Sequence, residues 1–87
     1  MTNFHAYVLL RTDPLKTENC FKRLCDTPGV KRAHYTVGHY DTILWVEGKD
    51  EKDLFDIITN KVRKIEGVCF TETLWVPEEL NKNSKIY

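Results

Sequence analysis

The sequence predicts an α+β domain of the ferredoxin-like type, with the order β-α-β-β-α-β, a four-stranded antiparallel sheet and two helices on one face. Three observations lead to this prediction. Four runs are rich in aromatic and β-branched residues, two segments carry apolar residues at helical spacing, and the two kinds of segment follow one another in that order. The chain has 87 residues, which suffices for one domain of this kind.

The first strand and the first helix are predicted from the first 29 residues. Residues 4–12, "FHAYVLLRT", form the strand. Asp13 is a favourable N-cap and Pro14 suits the first helical position, so the helix is expected to run from Pro14 to about Asp26. The "TPG" that follows ends it, because proline disfavours helix before it and glycine turns freely. The apolar stripe of this helix consists of Cys20, Phe21, Leu24 and Cys25.

Two further strands are predicted over residues 30–37 and 42–48, "VKRAHYTV" and "TILWVEG". Only residues 38–41 separate them, so we expect an antiparallel hairpin.

The second helix is predicted over residues 49–67, "KDEKDLFDIITNKVRKIEG". Asp50 is the expected N-cap, Asp53 occupies the third helical position, and Gly67 is the expected C-cap. The apolar face of this helix consists of Leu54, Ile58, Val62 and Ile65.

The fourth strand is predicted over residues 68–77 and ends at Pro77. The domain therefore covers residues 4–77. Residues 78–87, "EELNKNSKIY", form a polar C-terminal tail for which a helical turn, an extended arm and disorder all remain open.

Both faces of the predicted sheet carry bulky apolar groups, which are mixed with Thr and His on one face. A sheet with one wet face should instead alternate apolar and polar residues. We therefore expect a homodimer of the dimeric α/β barrel type, with two sheets packed face to face; the alternative is a monomer with a mildly apolar sheet. On the fourth strand the alternation places Val68, Phe70, Leu74 and Val76 opposite Cys69, Thr71, Thr73 and Trp75.

Composition argues against several classes of partner. The chain has 13 basic and 13 acidic residues, so it lacks the basic excess with which proteins neutralise nucleic-acid phosphates. No run of apolar residues is long enough to span a membrane, and the first residues do not resemble a signal peptide. We expect a cytoplasmic protein that binds neither membrane nor, by itself, nucleic acid.

The residues offer little support for catalysis or metal binding, and no cofactor is expected. The three cysteines include no C-x-x-C pair and suit neither a disulfide framework nor a zinc site. Ser84, in the tail, is the only serine, so a Ser-His-Asp set is not expected. The spacing of His34, His39 and Asp41 matches no common metal-binding pattern.

The loop "GHYD", residues 38–41, is the better candidate site. Gly38 can adopt backbone angles that expose successive N–H groups, which bind carboxylates. Tyr40 offers a flat wall and a hydroxyl, and Asp41 a negative charge for an ammonium group. These features together suit a free amino acid, and they predict that Asp41→Ala keeps the fold and loses the ligand. The alternative is a hairpin turn in which Asp41 hydrogen-bonds the backbone.

Three stretches together resemble one known family: "AYVLLRTDP", "TPGVKRAHYTVGHYDTILWVEG" and "VRKIEGVCFTETLWV". They look like the effector-binding (RAM) domain of the Lrp/AsnC transcription regulators. The most specific pieces are P-G-V before the second strand, G-x-Y-D in the loop, and E-G-V-x-x-T-x-T along the fourth strand. The full-length family members carry a DNA-binding helix-turn-helix, whereas this sequence resembles the effector domain standing alone.

The resemblance implies a regulatory domain that modulates transcription or amino-acid metabolism through oligomeric assembly, and not an enzyme. It implies face-to-face dimers, higher oligomers, co-assembly with DNA-binding Lrp/AsnC relatives, and an amino acid or related metabolite bound between subunits. The ligand-binding residues it implies are Gly38, His39, Tyr40, Asp41, Thr71 and Thr73.

Two other functions fit the same fold. One is a small cofactor-free enzyme such as a monooxygenase, which would be indicated by a deep pocket around His5 or His34. The other is a ligand-free assembly module, which would be indicated by a pocket that Phe70 or Trp75 fills.

Overall fold

Four strands form one antiparallel sheet, and its order places the first strand next to the last. The structure, a computed structural model, describes residues 4–77. The sheet order is β2-β3-β1-β4, so β2 and β4 are the two edge strands. The predicted ferredoxin-like architecture is confirmed, and the predicted tail at 78–87 lies outside the described residues. The strands are β1 (Phe4–Thr12), β2 (Val30–Tyr35), β3 (Thr42–Gly48) and β4 (Val68–Val76).

The first helix, α1 (Thr17–Cys25), begins three residues later than the sequence predicted. The carboxylate of Asp13 accepts a hydrogen bond from the Leu15 backbone at 3.0 Å, and its carbonyl accepts one from the Lys16 backbone at 2.8 Å. Asp13 therefore closes a turn in front of the helix and does not cap the helix itself, since the residue before Thr17 provides no side-chain cap. The expectation that Asp13 is the N-cap was wrong.

The second helix, α2 (Glu51–Asp56), begins where the acidic residues predicted. The Asp53 backbone donates to the Asp50 carboxylate at 2.8 Å, and the Asp53 carboxylate accepts from the Lys49 backbone at 2.8 Å. This reciprocal pair satisfies the Asp53 N–H, which a helix start otherwise leaves without a partner, and also the N–H of Lys49 just before the cap.

A π-helix, Ile57–Val62, continues α2, and the sequence did not predict it. The Arg63 backbone donates to the Ile58 carbonyl five residues earlier, at 3.0 Å. The wider turn ends well before Gly67, which has a φ of +103° and whose carbonyl accepts from the Asp13 backbone at 2.8 Å. Gly67 is therefore a turn residue that joins the end of the second helix to the turn in front of α1, and not the predicted C-cap.

The core lies between the helices and one face of the sheet. Truncating one of its leucines to alanine would cost about 2–5 kcal/mol, because few such sites can collapse around the cavity. The predicted apolar face of the second helix is confirmed for Leu54, Ile58 and Val62. The fully buried core side chains are Ala6, Val8, Leu10, Cys20, Leu24, Leu44, Val46 and Val62.

The opposite face of the sheet, here called the open face, is covered by no element within residues 4–77. Tyr7, Phe70 and Leu74 on this face are 45 %, 51 % and 45 % exposed. The predicted alternation on β4 holds for Phe70, but a register shift pairs Val68 with Thr12, so Val68 packs on the core side. That one assignment was wrong because an irregularity at the start of β4 reverses the alternation. No helix within the described residues is long and apolar enough to cross a membrane.

Candidate functional site

The loop between β2 and β3 is fastened at its base to the end of β1. The Thr36 backbone donates to the Asp41 carbonyl at 2.7 Å, and the Thr36 hydroxyl donates to the Tyr40 carbonyl at 2.8 Å. The Asp41 backbone in turn donates to the Leu10 carbonyl at 2.9 Å. Residues 36–41 thus form a closed loop whose base is hydrogen-bonded to the sheet and whose tip, at Gly38 and His39, is exposed.

Asp41 is the residue that joins this loop to the neighbouring strands. Its carboxylate accepts from the Thr12 backbone N–H at 2.9 Å and from the hydroxyls of Thr12 and Thr42, both at 3.1 Å. Both threonines are buried. The Asp41 carboxylate therefore has a structural role. This agrees with the alternative that the sequence left open, in which Asp41 hydrogen-bonds the backbone. A contact between Asp41 and a ligand stays a prediction.

The tip of the loop presents backbone donors to solvent. Gly38 has a φ of +153°, and no atom lies within 4 Å of the position that a Cβ would take. Within residues 4–77, the backbone N–H groups of Gly38, His39 and Tyr40 donate to no acceptor. Successive unpaired N–H groups on a fixed loop are the arrangement that binds anions.

The Tyr40 side chain turns back from the loop onto β4. Its hydroxyl donates a short hydrogen bond to the Glu72 carboxylate, and its ring stacks on Phe70 with a centroid distance of 6.3 Å and an interplanar angle of 23°. The hydrogen bond to Glu72 raises the pKa of the Tyr40 phenol. Tyr40 is therefore held in place from two sides.

Thr71 and Thr73, the two strand residues of the predicted site, lie on the other face of the sheet. Thr71 pairs with Leu10 and Thr73 pairs with Val8, so both threonines point to the helix side of the sheet. The expectation that threonine and histidine side chains lie together on one face was therefore wrong for these two residues. Tyr40 instead contacts open-face residues of β4. Within one protomer the six predicted residues therefore form two groups. Thr71 lines a cleft of about 250 Å³ beside the end of the second helix, together with Arg63, Val68, Cys69 and Phe70.

A larger cleft, of about 580 Å³, lies on the open face over β2, β3 and β1, and sequence reasoning did not find it. The sequence analysis named a deep pocket around His34 as the feature that would indicate an enzyme, and His34 lines this cleft. The feature that could have revealed the cleft is the register shift between Val30 and Arg32 where β2 pairs with β3, and the local pattern of β2 does not show it. The lining residues are Tyr7, Lys31, Arg32, His34, Ile43, Trp45 and Glu47.

Comparison with known families decides what kind of domain this is. Residues 5–86 match the sequence profile of the Lrp/AsnC ligand binding domain, which is nearly the whole chain. The chain belongs to this family. The resemblance that the loop and β4 motifs suggested is thereby confirmed.

Curated relatives of this Lrp/AsnC domain are longer proteins. An uncharacterised HTH-type transcriptional regulator of Pyrococcus furiosus is 32 % identical over 72 residues, which is 79 % of this chain and 48 % of the relative. A counterpart in Pyrococcus horikoshii is 31 % identical over the same shares. The chain thus spans about half the length of the curated relatives it matches.

Solved structures include proteins of about the same length. The hypothetical protein PHS023 of Pyrococcus horikoshii is 32 % identical, with a TM-score of 0.80, over 93 % of this chain and 98 % of that one. The Lrp/AsnC fold therefore occurs in other chains of this size.

The family is one of regulators, since the curated relatives are named transcriptional regulators. Within residues 4–77 of this Lrp/AsnC domain, no group of three or more His, Cys, Asp and Glu side chains could hold a metal ion.

Proposed function

We propose that this Lrp/AsnC domain senses an amino acid or a related small metabolite and transmits binding through its assembly. One observation carries the proposal: the N–H groups of Gly38, His39 and Tyr40, which donate to no acceptor within residues 4–77, stand on a loop that Asp41 holds to β1. A rigid set of donors binds a carboxylate without first being ordered, which lowers the cost of binding.

The ligand pocket is completed between subunits. Thr71 and Thr73 face away from the Tyr40 contacts within one protomer, so the two groups of predicted residues meet only if neighbouring subunits contribute one group each. In this arrangement the loop of one subunit binds the ligand's carboxylate, and the hydroxyls of the other bind its remaining polar groups.

The assembly unit is a homodimer joined through the open face. Tyr7, Phe70 and Leu74 leave about half of their surface in solvent on a face with no covering element within residues 4–77. Exposed apolar patches of this kind mark interaction surfaces, and two such sheets pack about 10 Å apart. Higher oligomers then form by contacts around the loops.

Regulation follows from linkage. A ligand that binds between subunits favours the assembly in which its pocket is complete, and by an equal factor that assembly favours the ligand. The curated relatives are named HTH-type regulators and are about twice as long, so co-assembly with such a relative would bring the sensing domain to DNA.

A thermal-shift screen against the twenty amino acids tests this function. We expect a selective rise in melting temperature for one chemical class. The rise should disappear in His39→Pro, which removes one backbone donor, and persist in the control His39→Ala, which keeps it. Circular dichroism of both variants separates lost binding from lost folding. An equal rise in His39→Pro would contradict the role of the loop.

A ligand-free assembly module is the second candidate, because Phe70 packs against Tyr40 and occupies space beside the loop. The absence of any thermal shift, with the oligomer intact, would favour it.

A further inference from the structure

Arg63 lies where the π-helix ends beside the fourth strand. The π-helix ends at Val62, and the Arg63 backbone closes its last wide turn on the Ile58 carbonyl at 3.0 Å. The Arg63 side chain lines the cleft of about 250 Å³ that Thr71 also lines. Wide turns of this kind are frequent at functional sites, because an extra residue changes the direction of the side chains that follow. The end of the helix thus brings a cation to one of the predicted ligand-binding residues.

The polar groups of this cleft are available to a ligand. Within residues 4–77 the Arg63 guanidinium forms neither an ion pair nor a hydrogen bond, and the Thr71 hydroxyl forms no hydrogen bond. The Cys69 thiol donates instead to the Gly67 carbonyl at 3.7 Å. No acidic residue is among those that line the cleft. The cleft therefore combines an uncompensated positive charge with a hydroxyl.

The cleft remains accessible when two sheets pack face to face. β4 is an edge strand, and Val68 and Thr71 lie on its helix side. Glu72 points to the open face, where its carboxylate accepts from Tyr40, so its charge is not directed into the cleft. The loop of a subunit from a neighbouring dimer can therefore reach the cleft without disturbing the face-to-face contact.

We propose that the amino acid bound by this domain is an acidic one, whose side-chain carboxylate binds in this cleft. The inference rests on the proposed function, in which the loop N–H groups of one subunit bind the ligand's first carboxylate. The second carboxylate would accept hydrogen bonds from the Arg63 guanidinium and the Thr71 hydroxyl of the other subunit.

The size and charge of the cleft select against other side chains. Sites for drug-sized molecules hold about 300–1,000 Å³, so this smaller cleft suits one end of a small ligand. A neutral side chain would leave the charge of Arg63 unpaired, and a basic side chain would be repelled by it. Arg63 is therefore the residue that determines specificity.

L-glutamate and L-glutamine are the probes that test the proposal, because they differ in charge and hardly in shape. Calorimetric titration of the protein, at an ionic strength matched with potassium chloride, measures both affinities. We expect L-glutamate to bind about tenfold more tightly, which corresponds to about 1.4 kcal/mol; L-aspartate and L-asparagine form a second such pair. Equal affinity for acid and amide in both pairs would overturn this inference and leave the proposed function standing. Binding of no amino acid would overturn both.

Variants of Arg63 locate the second carboxylate. Arg63→Gln should remove the preference for L-glutamate and keep the affinity for L-glutamine, whereas Arg63→Lys, which retains the charge, should retain most of the preference. The matched control is Lys64→Gln, since Lys64 is exposed, carries the same charge and does not line the cleft. A preference that persists in Arg63→Gln, or that Lys64→Gln removes equally, would overturn the role of Arg63. Circular dichroism verifies that each variant is folded.

Discussion

The carboxylate of Asp41 and the main chain of Thr12 are joined across 29 positions of sequence, with 2.9 Å between the Thr12 nitrogen and Oδ2 of Asp41. This hydrogen bond connects the entry of β3 to the last residue of β1. It explains how a loop with an exposed glycine at its tip can still hold its backbone donors in a fixed place.

Asp41→Ala should lower the free energy of unfolding by about 1–3 kcal/mol, because the Thr12 N–H would lose its acceptor at a buried position. The sequence-based expectation that this variant keeps the fold stays a prediction, and the structure adds to it a loss of stability. Urea unfolding followed by circular dichroism measures the loss. Asp41→Asn is the control and should lose less, since its amide oxygen can still accept. Equal stability of Asp41→Ala and the unchanged protein would contradict the structural role.

Gly48→Ala should be among the most destabilising single-methyl additions in this chain. A Cβ at Gly48 would lie 2.6 Å from the Leu54 nitrogen and 2.7 Å from its Cα, and backbone atoms cannot rotate away. We expect a loss of about 3 kcal/mol in urea unfolding. Gly38→Ala is the matched control, because no atom lies within 4 Å of the position of its Cβ. Its free energy of unfolding should fall by only about 1 kcal/mol, from backbone strain. A larger loss at Gly38 than at Gly48 would refute this.

The pair of Tyr40 and Glu72 should appear in the alkaline titration of the protein. The hydrogen bond to Glu72 raises the pKa of Tyr40 above its ordinary value of 10.0. Because the folded state holds the phenol proton more tightly, this pair contributes to the free energy of unfolding fully below pH 10.0. The contribution is lost as the pH rises through the raised pKa. Glu72→Gln should lower the pKa of Tyr40 towards 10.0 in a carbon-13 NMR titration of the tyrosine ring carbons. Glu66→Gln, which removes a carboxylate paired with Lys16 instead, should leave it unchanged.

The strands and most of the helix stripes could be predicted because they follow from local periodicity. Cys25, which the sequence placed on the apolar stripe of the first helix, is exposed, so that assignment was wrong. The bounds of β1 and β3 agree with the structure, and Asp50 caps α2 as its side chain predicted. The predictions that were wrong concern positions where pairing with a distant segment changes the regular alternation of side chains along a strand. The extra residue at Lys31 and the shifted pairing of Val68 both interrupt the alternation of a strand, and no pattern within the strand itself indicates either.

The candidate site likewise combines features that the local sequence shows with features that depend on pairing between distant strands. The loop and its glycine were visible in the sequence, because "GHYD" stands between two strand-like runs. The bond from Asp41 to Thr12 was not, since it depends on which strand ends beside the loop. The face to which Thr71 and Thr73 point depends likewise on their pairing with β1.

The open face should control the oligomeric state of the protein. Leu74 is 45 % exposed there, and Leu74→Asp would place a charge that loses its water when two sheets meet. Light scattering after size exclusion should show the unchanged protein at twice the chain mass of 10.3 kDa, or at a multiple of that dimer mass, and Leu74→Asp at a smaller mass. Phe55→Asp is the matched control, because Phe55 is 58 % exposed on α2, away from this face, and its variant should remain dimeric. A 10.3 kDa species for the unchanged protein would refute face-to-face dimerisation, and a monomeric Phe55→Asp would place the interface on the helices.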